Sequence, residues 1–169
     1  IGQSLVVTDG TLILTGSNST SSVTLNVINY HAGAIVIGND GALGSGTFTV
    51  SGGGSTTIQA QGAVTVNNAV ALNNNLVIAG SDPLTMYGTM TLNANRTITN
   101  NNTTTTTTLG AVTGTNRLLT LSGNGNTVIS GPITTGTGGL TKNGTGRLTL
   151  VDDCTYTGNT AVNGGTVQV

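Results

Sequence analysis

The residues able to carry chemistry are few enough to take one at a time. Five acids, four bases, one histidine and one cysteine are spread over 169 residues. Asp152 and Asp153 are the only acidic pair. Paired carboxylates could serve as general acid and base, as in glycosidases and in the pectin-cleaving enzymes built on parallel β-helices. Adjacent residues of a strand, however, point to opposite faces, and no further acid or Arg is near in sequence. The pair therefore reads as a solvated turn. His31 sits in Tyr30-His31-Ala32-Gly33, which reads as an exposed turn rather than the centre of a Ser/His/Asp site. Cys154 cannot form an intrachain disulfide and reads as a small buried hydrophobe or an intersubunit partner. One His and one Cys are too few ligands for a metal centre. No catalytic, cofactor-binding or metal-ligating residue is assigned, and no cofactor is expected.

Three further patterns bear on function. Thr103–Thr108 is a run of six threonines. Flat Thr rows occur on ice-binding β-solenoids, but one run within one coil does not make a two-dimensional array. The run reads as a β-rich edge or corner in which every second Thr faces solvent. Asn18, Asn95, Asn102 and Asn143 each head an Asn-x-Ser/Thr triplet, so glycans can be carried by a secreted chain. The Gly-Gly-x-Gly-x-Asp nonapeptide that binds calcium is absent, so no calcium array is implied.

Composition narrows the class. Charged residues are 5% and aromatics 2%, while hydrophobic residues are 36%. Globular domains carry about a quarter charged residues. Disorder requires low hydrophobicity with high net charge, which this chain lacks. The net charge of -1 and the scattered Arg96, Arg117, Lys142 and Arg147 offer no basic stripe for phosphates, so no nucleic-acid partner is expected. No apolar run reaches the ~18 residues of a membrane span. The chain starts at Ile1 without a visible signal peptide, as in a mature or trimmed product. A surface of Thr, Ser, Asn and Gly, poor in Lys/Arg cleavage points, suits an extracellular protein.

Helix periodicity is almost absent, whereas short strands recur. They comprise Leu5–Thr8, Thr11–Thr15, Val23–Ile28, Ala34–Ile37, Thr47–Val50, Thr56–Ala60, Ala63–Val66, Leu76–Ala79, Thr89–Leu92, Arg96–Thr99, Leu118–Leu121 and Thr127–Ser130. Leu148–Val151, Thr160–Val162 and Thr166–Val169 complete the set. Within Thr47–Val50, Phe48 and Val50 share one face; within Thr89–Leu92, Met90 and Leu92 do. A sandwich should show hairpin turns and inter-sheet aromatics. Here the inward residues are Val, Leu, Ile and Ala of similar size, as stacking on a counterpart one coil away requires. Asn recurs at strand ends (Asn67–Asn68, Asn73–Asn75, Asn93, Asn95, Asn100–Asn102), where stacked amides can bond along the axis. At about 20–25 residues a coil, the chain makes roughly seven coils at ~4.8 Å each, a rod of ~35 Å.

An internal repeat is also present. Leu5–Leu14 (LVVTDGTLIL) lies over Leu140–Leu150 (LTKNGTGRLTL) with one gap, and Gly33–Ile37 over Gly165–Val169. The first copy runs on through Gly38–Gly46, so residues 5–46 read as a degenerate second copy of 137–169. Both ends look open rather than capped, and open strand edges recruit further chain.

Thr137–Val169 resembles the autotransporter-associated β-strand repeat of bacterial surface proteins. The resemblance is carried by Gly138–Lys142, Gly144–Leu150, Tyr156–Gly158 and Val162–Val167. Gly38–Gly46 is similar to the segment that often follows such a repeat, while Asp152–Cys154 departs from the pattern. The resemblance implies a right-handed parallel β-helix, secreted or on the cell surface, with no catalytic residues. The expectation is thus an all-β, single-domain parallel β-solenoid with about seven coils and open ends. It acts as a non-catalytic fibre subunit that joins head to tail with copies of itself, or as part of a longer chain. The joint would use Leu5, Val7, Leu12, Leu14, Val162, Val167 and Val169. The alternatives are an adhesin or passenger segment that binds a glycan or host surface and, more remotely, an ice-binding or carbohydrate-active β-helix.

Overall fold

The computed structural model describes residues 5–18, 22–27 and 31–169. The strand expected over Val23–Ile28 is seen as Val23–Val27; Ile28, and Tyr30 of the expected turn, lie outside the described residues. The chain is an all-β parallel solenoid of seven coils with a partial eighth. The first coil carries β1 (Leu5–Val7) and β2 (Gly10–Leu14), and the second β3 (Val23–Val27) and β4 (Ala32–Ile37). Three-stranded coils begin with β5 (Phe48–Gly52), β6 (Ser55–Ala60) and β7 (Val64–Val66). Next come β8 (Val70–Leu72), β9 (Leu76–Ala79) and β10 (Leu84–Met86), then β11 (Met90–Leu92), β12 (Arg96–Asn100) and β13 (Thr107–Leu109). The sixth coil holds β14 (Val112–Thr113), β15 (Leu119–Ser122) and β16 (Thr127–Ile129), and the seventh β17 (Ile133–Thr134), β18 (Leu140–Lys142) and β19 (Arg147–Leu150). The partial coil holds β20 (Thr160–Val162) and β21 (Thr166–Gln168). Strands stack in parallel into face A (β1 to β17), face B (β2 to β20) and face C (β7 to β21). No helix of the described residues is long and apolar enough to cross a membrane.

The core is a set of axial columns. On face A, Val23, Phe48, Val70, Met90, Val112 and Ile133 stack in register, and all are buried. On face B, Leu12, Ile35, Ile58 and Ile78 do the same, with Leu12 half-buried at the end of the column. On face C, Val66, Met86, Leu109, Ile129 and Leu150 form the matching column. Because each inward side chain rests on its counterpart in the next coil, a mismatch in size would leave a void in two coils at once. Alternation sets the opposite pattern outside. Thr24, Thr49, Thr91, Thr113 and Thr134, with Ala71, line the outer side of face A. β-Branched Thr suits such a half-exposed pleated surface.

Among the described residues, the first two coils carry no strand on face C, and the segment 38–47 occupies that side of the second. Its Ala42 and Leu43 are fully buried, and Asp40 Oδ1 accepts the backbone N–H of Thr65 at 2.7 Å on the outermost strand, β7. The two sequence copies also fall on different faces: β1 and β2 lie on A and B, whereas β18 and β19 lie on B and C.

Coils approach closely at the corners, and this selects glycine. A Cβ on Gly88 would lie 1.8 Å from the Asn68 carbonyl oxygen of the preceding coil. A Cβ on Gly16 would meet nothing within 4 Å. Gly88→Ala is therefore expected to destabilise by about 1–3 kcal/mol or more through forced separation of two coils. Gly16→Ala should stay within about 0.5 kcal/mol of the parent. Urea unfolding of the two variants measures the contrast, and equal midpoints would contradict it.

Candidate functional site

Among the described residues, no three of the acids, the histidine and the cysteine come together in one cluster. Asp152 and Asp153 are exposed on the irregular segment between β19 and β20, and the Asp153 N–H donates to Asp152 Oδ1 at 2.9 Å. Cys154 is half-buried against the core and free, with its thiol 3.6 Å from the Asp152 carbonyl oxygen. It is thus neither fully buried nor fully presented. His31 lies at the other end of the rod, just before β4, and is exposed as its turn implies. Its Nδ1 is 2.8 Å from Asp9 Oδ2. The pairing joins equivalent corners of successive coils, and the 22-residue separation hid it from a local reading. Ser55 lines the same groove as His31, yet no hydrogen bond joins its hydroxyl to the ring. The pair is therefore an acid and a base without a coupled nucleophile.

The threonine run divides. Thr103–Thr106 form the corner before β13, and only Thr107 and Thr108 enter the strand. Thr107 points inward and is fully buried, with its hydroxyl unpaired, while Thr108 faces out. The regular alternation expected along all six residues is thus confined to the last two. The chain turns here because Asn102 holds the corner from inside. Its Oδ1 accepts the N–H groups of Thr104 and Thr105 at 3.1 Å each, and its Nδ2 donates to the Asp82 carbonyl and to Thr105 Oγ1, each at 2.9 Å. Asn100, also fully buried, donates to the Asn126 carbonyl at 3.0 Å and to Thr127 Oγ1 at 3.1 Å.

Outside, asparagine links coil to coil. Asn75 Oδ1 accepts the Thr97 N–H at 2.8 Å, Asn95 Oδ1 that of Leu118 at 3.0 Å, Asn116 Oδ1 that of Thr137 at 3.0 Å, and Asn126 Oδ1 that of Arg147 at 2.9 Å. Asn73 bonds Asn93 side chain to side chain, and Asn143 bonds Asn163 at 2.9 Å. These are the corner bonds that the recurrent Asn implies. What the sequence did not disclose is that most of them end on a backbone N–H of the next coil.

The residues expected at the joint divide between the two ends of the solenoid. Leu5, Leu12 and Leu14 are half-buried and Val7 is buried on β1 and β2. Val162 and Val169 are 51% and 96% exposed, and Val167 on β21 is half-buried against the core. Val162 stands next in line after Leu121 and Lys142, and Val167 after Leu148. Lys142, unremarked in the sequence except as part of a motif, is buried at 3% exposure among these apolar neighbours. Its stem lies in the column and its Nζ donates to the carbonyls of Asn143 and Gly144 at 2.6 and 3.1 Å. Burial lowers the pKa of this ammonium from its ordinary value.

A family model described as Passenger-associated-transport-repeat matches residues 140–169. The last thirty residues carry this repeat. No curated protein and no solved structure matches the chain. The repeat begins at β18 and ends just after β21, and it pairs with itself: Leu140, Thr141 and Lys142 lie against Thr160, Ala161 and Val162, and Arg147–Thr149 against Thr166–Gln168. One repeat thus supplies both a floor and the coil resting on it. Together with the solenoid, it fits an autotransporter passenger-like protein, of a kind that is secreted or surface-bound.

Two outcomes follow from the polar geometry. Asn102→Ala strips partners from two backbone N–H groups and a carbonyl. It is expected to cost about 1–3 kcal/mol for each group left buried and unpaired; an unfolding curve within 0.5 kcal/mol of the parent would contradict the bonding described. The hydrogen bond from His31, and then that from the Gly10 N–H, lower the Asp9 pKa. A carboxylate whose folded pKa is depressed stabilises the fold above its unfolded pKa and loses that contribution as pH falls through the folded value. An NMR titration should therefore place Asp9 below the ordinary carboxylate range, and His31→Ala should move it upward. With both side chains exposed to solvent, high salt should shrink the difference.

Proposed function

We propose that this solenoid is a non-catalytic structural element of a secreted or surface protein and that it extends by coil-on-coil stacking. In the most concrete form, copies add head to tail, with β20 and β21 of one meeting β1 and β2 of the next. The observation that carries this reading is the continuation of the core columns to an uncovered end. Val162 is half exposed and Val167 partly so, in line with residues that are fully buried one coil earlier. Covering such aliphatic area is favourable by about 25 cal/mol per Å², and each ladder hydrogen bond adds about 1 kcal/mol net. A head-to-tail contact that does not close gives a filament.

A second reading is favoured by the match at residues 140–169. In it the same end is covered by further coils of a longer passenger, and the sides of the rod meet a host surface or glycan. Both readings treat Asp152 and Asp153 as solvated corner residues rather than as an acid–base pair. Activity on pectin-like polymers that is lost on replacing either Asp would support the carbohydrate-active alternative instead.

Electron microscopy with sedimentation of the purified 169-residue chain tests the first reading. Filaments with one subunit per axial repeat are expected, and Val162→Asp should abolish them while leaving the circular dichroism of the subunit unchanged. Discrete monomers at high concentration would overturn head-to-tail assembly and favour the passenger reading.

A further inference from the structure

The outward side of face B differs from those of the other two faces. Thr97 and Thr99 of β12 lie in register with Thr120 and Ser122 of β15, and Thr120 with Thr141 of β18. Asn143 follows β18 in the file of Ser122, its N–H donating to the Leu121 carbonyl at 2.8 Å. These six side chains make two files across three successive coils, and each is half-exposed. Members of a file stand about 4.8 Å apart, and the files about 6.6 Å apart, the distance between residues i and i+2 of a strand. A two-dimensional array, which the Thr103–Thr108 run does not make, is thus present on the side of the rod. On face A the second file passes into corner residues such as Asn73 and Asn93, which bond one another. On face C it is broken by the exposed Tyr87 and Val151.

Three properties of this patch point to what it meets. The hydroxyls of Thr97, Thr99, Thr120, Ser122 and Thr141 make no hydrogen bond among the described residues, so each keeps its donor and acceptors for water. β-Branching leaves the threonines few χ1 states to lose on ordering. The neighbouring charges are turned away: Arg96 Nε donates to the Leu72 carbonyl at 3.1 Å, Lys142 is buried inside, and Arg117 lines a separate groove at the corner with face A. No strongly hydrated ion therefore interrupts the grid. Aromatic platforms for sugar rings are absent from it as well, since Phe48 is in the core, Tyr87 follows β10 and Tyr156 precedes β20. A neutral grid of hydroxyls and methyls at these two spacings comes close to the oxygen repeats on the prism face of ice. We propose that face B over the fifth to seventh coils binds ice, holding first-layer waters near lattice positions. Ordering one water costs up to about 2 kcal/mol, and a rigid array lowers what each water loses on joining the crystal. The patch lies along the side of the rod, so this activity goes beyond the structural role proposed above and is independent of what covers either end.

The test adds the purified chain to a polycrystalline ice film and to a single ice crystal, and reads recrystallisation and the gap between melting and freezing points. Crystals of the film should stay small, and the single crystal should show a gap and grow facets. Thr120→Tyr sets a bulky ring in the middle of the grid, on a strand that tolerates aromatics. It should abolish both effects and leave the circular dichroism unchanged. Thr99→Tyr makes the same test from the other file should Thr120→Tyr fail to fold. Thr113→Tyr, on the outward side of face A, should keep both effects. A parent chain that changes ice growth no more than an equal mass of albumin would overturn the proposal. So would full activity in Thr120→Tyr and Thr99→Tyr, or a loss in Thr113→Tyr as great as theirs. Retention of the chain on insoluble cellulose without any effect on ice would overturn it too, and would assign the surface to a glycan.

Discussion

Everything in this molecule depends on one constraint: each residue's principal neighbour is its own counterpart about one coil later. Asn73 meets Asn93, Ile58 meets Ile78, and the backbone of Gly88 presses on that of Asn68. Side-chain size, polarity and backbone freedom are therefore judged against a position some twenty residues away rather than against sequence neighbours. Aliphatic residues of similar bulk satisfy this on the inside, where a column fills at native density only if its members match. Asparagine satisfies it at corners, because one amide can accept from the coil above and still donate below. Charged side chains satisfy it poorly, since in-register stacking would bring like charges to about 4.8 Å.

That constraint also explains which parts of the fold could be read from sequence. Strands with three or more alternating residues, such as Phe48–Gly52 and Arg96–Asn100, show their period directly. Val70–Leu72, Leu84–Met86, Thr107–Leu109, Val112–Thr113 and Ile133–Thr134 were not distinguished. Two or three residues give little local period, and their place in register between the strands of neighbouring coils makes them β. Architecture was nonetheless legible, because parallel stacking needs uniform inward residues and few aromatics, and both are compositional. The site was less so. Asp9 and His31 look unrelated until the coil length is known. Asn100 and Asn102 look like the other corner asparagines, but they point inward and bond within the core. The Thr103–Thr108 run appears to be one pattern, but the chain turns through most of it.

Lys142 shows how far the stacking rule can bend. A buried ammonium with no carboxylate beside it is costly unless its donors are met. Here the butyl stem replaces an aliphatic neighbour in the column and the head reaches the corner carbonyls of its own turn. The repeat at residues 140–169 can therefore hold a lysine inside a column without a counter-ion. The structure gives no comparable case in the middle coils, where the corresponding positions are Leu121 and Ile98.

The corner asparagines also give the rod a direction. In the links from Asn75 to Thr97, Asn95 to Leu118, Asn116 to Thr137 and Asn126 to Arg147, the earlier coil offers the oxygen and the later coil brings the N–H. Asn93 on Asn73 and Asn163 on Asn143 keep the same sense, while the buried Asn100 and the loop residue Asn18 run against it. The two ends of a solenoid built this way are chemically different surfaces, one lined with unfilled acceptors and the other with unused donors. Two such rods laid nose to nose would set oxygen against oxygen at the corners. The molecule is, in this respect, an arrow: any neighbour that continues its coils must point the same way.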